Sequence, residues 1–202
     1  MATVITHAVT SLDGFISRPD DSVGPLFDWY ENGDTELVCG QGAWTFHVSR
    51  ASAEHVQPWW DSCRAVVMGR HLFDLTNGWN GVPSVGERVF VVTHEAPTQW
   101  VPSDELSAEE APFTFVTEGV AAAIEQAREL AGDGGVAVCA GDMGGQAVAA
   151  GLVDEVAIDV APVLLGQGKR YFGEAEVAEG LLDDPTVVEG DRVLHLRYRV
   201  RR

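Results

Sequence analysis

The chain has 202 residues, 46% of them apolar, with 31 acidic against 13 basic side chains and a formal net charge of −18. Length and apolar share suit one large domain with a sizeable core. The acidity argues against nucleic acid and anionic membranes as partners, because the basic residues are scattered apart from Arg197, Arg199, Arg201 and Arg202 at the C-terminal end. No apolar run reaches the length of a bilayer span, and Met1 to Ile5 lacks the basic n-region of a signal peptide. Cys39, Cys63 and Cys139 form neither a CxxC pair nor a disulfide framework. Together these features predict a reduced, cytoplasmic protein.

Val4 to Val9 alternates loosely and predicts a first strand, which runs through Ser11 into the turn signal Asp13-Gly14. Arg18 to Gly24 is polar and contains proline and glycine, so a loop is expected there. Leu26-Phe27-Asp28-Trp29-Tyr30 sets one carboxylate among aromatic side chains. Asp28 is either a plain surface acid or one whose pKa is raised by apolar neighbours. Glu31 to Gly42 reads as an irregular excursion and Ser52 to Ser62 as a helix. Arg64 to Met68 is a buried strand, and Gly69-Arg70 opens the next helix. Arg70 there suits a phosphate, or else a solvent-exposed ion pair with Asp74 one turn on.

Arg88 to Val92 predicts a strand ending at Thr93-His94, and Glu95 to Pro112 a long polar connection. Phe113 to Val116 is the next strand. Gly119 to Ala131 carries Val120, Ala123, Ile124, Ala127 and Leu130 at helical spacing. Val136 to Ala140 is a short apolar run that meets Gly141, Gly144 and Gly145, followed by a helix to Ala150. Glu155 to Leu165 predicts another strand. Thr186 to Glu189 and Arg192 to Val200 flank the hairpin turn Gly190-Asp191. The alternation predicts an α/β fold: a mixed, mainly parallel sheet flanked by helices, with a C-terminal antiparallel hairpin. No repeat or boundary divides residues 1–202, so a single domain is expected.

In such a sheet ligands bind beyond the carboxyl ends of the parallel strands. Four such ends carry polar or glycine residues: Ser11 to Phe15, Gly69-Arg70, Thr93-His94 and Gly141 to Gly145. Glycines between a strand and a helix expose backbone N–H groups to an anion, or else only permit tight packing. The six histidines show no HxxxH or HExxH spacing, and no metal site is expected. No GxSxG elbow marks a serine hydrolase.

Ser11-Leu12-Asp13-Gly14-Phe15-Ile16, Val67-Met68-Gly69-Arg70 and Val89-Phe90-Val91-Val92-Thr93-His94 occur in that order. The most specific pieces follow: Gly151-Leu152-Val153-Asp154-Glu155 and Pro162-Val163-Leu164-Leu165-Gly166-Gln167-Gly168. With these the chain resembles the dihydrofolate-reductase-like proteins related to the reductase domain of the riboflavin-biosynthesis deaminase–reductase. The resemblance implies a dihydrofolate-reductase-like fold, NADPH as cofactor, hydride transfer to a small heterocyclic substrate and pairing as a homodimer. It places Gly69 and Arg70 at the cofactor phosphates, Thr93 and His94 near the adenosine 2′-phosphate, and Ala140, Gly141 and Gly144 on the pyrophosphate side. Asp13, Gly14 and Phe15 would meet the nicotinamide and substrate, with Asp13 the first candidate proton donor. Asp28 is the second, by likeness to the substrate-facing acid of true dihydrofolate reductases. Two departures stand out: Cys139-Ala140 where the family carries glycines, and Leu72 where true dihydrofolate reductases have a threonine. A non-catalytic nucleotide-binding protein and a true dihydrofolate reductase are the rival readings. For the dimer, Val156 to Leu165 and the C-terminal hairpin are the candidate surfaces.

Overall fold

A computed structural model describes residues 1–98, 100, 111–180 and 182–201. Its centre is an eight-stranded sheet. The strands are β1 (Thr3–Ser11), β5 (Cys63–Gly69), β6 (Arg88–Val92), β7 (Phe113–Val116), β8 (Gly135–Cys139), β9 (Glu155–Ala161), β11 (Thr186–Gly190) and β12 (Val193–Arg199). Their spatial order is β11-β12-β9-β1-β8-β5-β6-β7. From β9 through β7 every pairing is parallel; β12 runs antiparallel to both β9 and β11. The mixed sheet with its C-terminal hairpin is therefore the predicted one.

Side chains alternate across β1. Ile5 and Val9 join one core cluster and Val4 the other. The first cluster is capped by α1 (Arg50–Ser62), through Ala53, Val56, Trp59 and Trp60, and by Phe73 of α2 (Arg70–Thr76). The second is capped by α3 (Val120–Ala131) and α4 (Asp142–Ala149). Helix α3 buries Ala123, Ile124, Ala127 and Ala131, the stripe its spacing predicts.

Two short ribbons stand off the main sheet. β2 (Phe15–Ser17) pairs with β10 (Lys169–Arg170), and β3 (Thr35–Cys39) pairs with β4 (Trp44–Val48). The second ribbon lies partly where an irregular excursion was expected. Its strands mix polar and apolar residues and are joined by Gly40, whose φ of 59° lets the turn close against the Trp44 ring. Strand β9 stops at Ala161 instead of Leu165, because Pro162 has no N–H for a ladder. Helix α4 begins at Asp142, three residues before the expected Gly145. Strand β9 is interior to the sheet, flanked by β1 and β12, so it offers no edge to a second subunit. Of the expected polar connection Glu95 to Pro112, residues 99 and 101–110 lie outside the described residues, as does Arg202.

Candidate active site

The four polar strand ends lie on four consecutive strands, β1-β8-β5-β6. The crevice has a step. β8 ends at Cys139, level with His7 of β1, whereas β1 continues to Ser11 alongside β9 alone. The space above β8 is thus walled by the last residues of β1 and floored by Ala140 and Gly141.

At the β1 end, Gly14 takes a φ of 87°. Its N–H donates to Ser11 O at 2.9 Å, while Phe15 N–H donates to Ser11 Oγ at 3.0 Å. Asp13 Oδ1 accepts from Leu165 N–H at 3.1 Å and Oδ2 from Gly166 N–H at 2.7 Å. A hydrogen bond from the Ser11 hydroxyl, joined by those two amides, holds the Asp13 carboxyl below its usual range. An ionised carboxylate already accepting on both oxygens is a tether between the β1 turn and the loop after β9, and it carries no proton at neutral pH.

At the β8 end, Gly141 has a φ of 91°, and an added Cβ would meet only Ile16 Cδ1 at 3.7 Å. Of the three glycines, it alone has room at the Cβ position. Gly144 does not: a Cβ there would lie 2.6 Å from Cys139 O, and one at Gly145 would lie 2.0 Å from Phe172 O. Both are packing glycines inside α4, where a side chain would be crowded. Cys139 and Ala140 pack against the core, and burial pushes the Cys139 thiol up to about 12. Both departures from the family's glycines are half-buried.

At the far end, Arg70 and Thr93 converge on one atom. The Glu95 carbonyl oxygen accepts from Arg70 Nη1 at 3.0 Å and from the Thr93 hydroxyl at 2.8 Å. Arg70 Nε also donates to Asp74 Oδ1 at 2.7 Å, the ion pair expected as the plain alternative. Beside them is a cavity of about 430 Å³ lined by Arg70, Glu95, Ala96, Pro97, Thr98 and Trp100. His94 is exposed next to it. A second cavity, about 530 Å³, lies at the amino ends of the strands among Cys63, Arg64, Gly86 and Glu87, away from the crevice.

Asp28 lies between β2 and β3. It is exposed on a single 3-10 helix, Gly24–Glu31, whose Leu26 and Trp29 point inward. The first α-helix is α1, which begins only at Arg50. Asp28 therefore lies on a 3-10 helix that precedes the β3–β4 ribbon and α1.

Two groups of polar residues were not anticipated. Asp21, in the loop after β2, sits between Lys169 and His71; its Oδ1 is 3.0 Å from His71 Nε2 and ion-paired with Lys169 Nζ. Hydrogen bonds from Lys169 and His71 hold its carboxyl below the usual range. This contact ties the β2–β10 ribbon to the first turn of α2, across the β8 end. The second group is Asp159 of β9, hydrogen bonded to His7 and His195. Polar residues at core-facing positions of apolar strands, such as Asp159 between Ile158 and Val160, are the sequence signal that marks it.

The model of the RibD C-terminal domain family matches residues 2–196. The chain belongs to that family. Solved structures similar to this RibD C-terminal domain include a protein of Shewanella sp. PV-4 provisionally named for riboflavin biosynthesis, at 22% identity, full coverage of both chains and a TM-score of 0.70. Acinetobacter baumannii RibD is 17% identical with a TM-score of 0.60, all of this chain matching 59% of that one. Dihydrofolate reductase from Enterococcus faecalis, complexed with NADP(H), is 11% identical with a TM-score of 0.53, covering 99% and 97% of the two chains. These likenesses establish the dihydrofolate-reductase-like fold. No curated protein sequence matches the chain significantly. Among the described residues no helix is long and apolar enough to cross a membrane, and no group of three or more His, Cys, Asp or Glu is placed to hold a metal ion.

Proposed function

We propose that this RibD C-terminal domain is an NADPH-dependent reductase acting on a small heterocyclic substrate, with 5-amino-6-(5-phosphoribosylamino)uracil as the first candidate. The observation that carries this is the gathering of the predicted strand ends on β1, β8, β5 and β6. Three neighbour spacings of roughly 4.8 Å give a crevice about 14 Å long, suited to an extended dinucleotide. A deaminase/5-amino-6-(5-phosphoribosylamino)uracil reductase of Thermotoga maritima shares the fold at 14% identity, 99% of this chain matching 57% of that one, with a TM-score of 0.59.

The residues present fit the cofactor. Gly141 leaves the space a Cβ would fill, and its backbone approaches the crevice at a φ that favours glycine. Arg70 offers a guanidinium for phosphate at the β5 end, and Thr93 and His94 flank the adenosine end. Gly14 and Phe15 shape the nicotinamide end, where Asp13 holds the loop after β9 in place. NADPH supplies the hydride when bound; the protein's share is orientation, water exclusion and a proton.

The experiment is a titration of the full chain with NADPH and, in parallel, NADH, read by ligand fluorescence and thermal shift. Tight binding with preference for NADPH is the expected result, followed by NADPH oxidation with the named uracil. A folded protein that binds neither cofactor sinks the proposal.

A further inference from the structure

Four side chains from four elements form one hydrogen-bonded chain on the α1 side of the sheet. His7 Nε2 lies 2.8 Å from Asp159 Oδ2, and Asp159 Oδ1 lies 2.6 Å from His195 Nδ1. His195 Nε2 lies 2.9 Å from Ser52 Oγ, near the start of α1. The site is built tightly: a Cβ on Gly190 would stand 2.1 Å from Ser52 Oγ, so the hairpin backbone closes over it. Asp159, His195 and Ser52 are all buried. His7 is the member that reaches solvent, with 17% of its side chain exposed.

The level of His7 in the sheet gives this chain a direction. His7 is paired with Cys139, the last residue of β8, and with Ala157 of β9. It therefore stands at the step where the crevice opens, below the Asp13 turn and beside Ala140. The Trp59 ring packs edge-on at 5.0 Å and fixes the imidazole plane. Nε2 is committed to Asp159, while Nδ1 has no hydrogen-bond partner among the described residues.

We propose that His7 is the proton donor of the reductive step and that Asp159, His195 and Ser52 position it. The inference rests on the reductase reading above. As hydride from the bound reduced nicotinamide reaches the carbon of a polarised C=N or C=O bond, the π electron pair moves to the heteroatom. That heteroatom takes the proton from His7 Nδ1. His7 is left as a neutral imidazole with Nε2–H still donated to Asp159, the nicotinamide is left oxidised, and a solvent proton restores the imidazolium. Asp159 stays ionised throughout. Its second oxygen is held by His195, which is held in turn by Ser52, so the carboxylate cannot swing away.

The test uses the full chain with 15N-labelled histidine. Adding NADP+ is expected to move the His7 ring resonances and to leave those of the exposed His47 on β4 in place. His7→Gln keeps a donor at the Nε2 position for Asp159 but has nothing at Nδ1. It is expected to bind NADP+ as the unchanged protein does and to lose about 10²-fold or more in NADPH oxidation with 5-amino-6-(5-phosphoribosylamino)uracil. A His7 ring unmoved by bound NADP+, or a His7→Gln protein of undiminished turnover, overturns this inference alone. Failure of the unchanged chain to bind NADP+, or to oxidise NADPH with that uracil, overturns the reductase reading and the donor role with it.

Discussion

Asp13 Oδ2 accepts a 2.7 Å hydrogen bond from the Gly166 amide, so the turn that ends β1 and the loop that follows β9 share one carboxylate. Asparagine at position 13 has a single acceptor oxygen, and its amide group would face one of the two N–H donors. Asp13→Asn is therefore expected to weaken NADPH affinity and turnover together, because both depend on the loop. A direct proton donor at this position would show a loss in turnover alone. Fluorescence titration and steady-state kinetics on the same preparation separate the two. The Asp13 carboxyl is held below its ordinary 3.8, so the tether is complete above that pH and is lost only as the pH falls through the lower folded value.

The glycines around α4 divide into two kinds, and alanine substitution distinguishes them. At Gly145 the new Cβ would meet Phe172 O at 2.0 Å, a backbone atom that cannot yield cheaply. Gly145→Ala is expected to cost about 1–3 kcal/mol of stability, or roughly 2–12 °C in Tm at this chain length, while the protein that remains folded keeps its NADPH affinity. Gly141→Ala meets no crowding but forces a side chain into a φ of 91°. It is expected to lose NADPH affinity as well as stability, since its backbone lies on the crevice floor. Thermal melts with and without NADPH read both effects.

Much of this was legible in the sequence where local signals are strong. β6 and β7 fall at Arg88–Val92 and Phe113–Val116, as expected from apolar runs bounded by turns. The ribbon β3–β4 was not legible, although Trp44, Phe46 and Val48 alternate with Thr45 and His47, because β3 (TELVC) shows no such alternation and the glycines between the two strands read as an irregular excursion. Helix α4 was started late because Gly144 and Gly145 weaken a helix on propensity, whereas here they permit close packing against Cys139 O and Phe172 O. The His7–Asp159–His195–Ser52 chain is a long-range object: successive partners are 152, 36 and 143 residues apart, and no motif spacing reports that. The sequence leaves both readings of Asp28 open, because a carboxylate among aromatic residues suits either burial or exposure; the 3-10 helix turns only Leu26 and Trp29 inward.

Arg70 makes contacts that matter little for folding. Its ion pair with Asp74 is exposed and lies within one helix turn, an arrangement worth below about 1 kcal/mol. Arg70→Ala is therefore expected to leave the urea midpoint nearly unchanged. The guanidinium lines the cavity beyond β5 and β6, where the proposed adenosine phosphate would sit. The same variant is expected to lose most of the preference for NADPH over NADH, with the loss in the NADPH constant. Parallel titrations with the two cofactors check this; an unchanged ratio would move the phosphate site elsewhere.

Asp159 should be the most stability-sensitive carboxylate of the fold, and pH should reveal it. Burial alone pushes its carboxyl up, but the charge of His7 and the hydrogen bonds from His195 and His7 outweigh that and hold it far below the ordinary range. Asp159→Ala leaves two imidazoles and a serine facing an uncompensated gap in the sheet. Breaking a buried charge pair of this kind costs about 3–5 kcal/mol. Asp159→Asn, which keeps the volume, is expected to cost less and serves as the folded comparison. Because the folded pKa is depressed, the advantage of wild type over Asp159→Asn is fully present above the unfolded value near 3.8 and shrinks as pH falls below it. Urea midpoints of the two proteins should therefore stay equally far apart between pH 7 and 5 and converge below pH 3.8. A gap that stays constant into acid would mean that packing around Asp159, and not its charge, holds β12, β9 and β1 to α1.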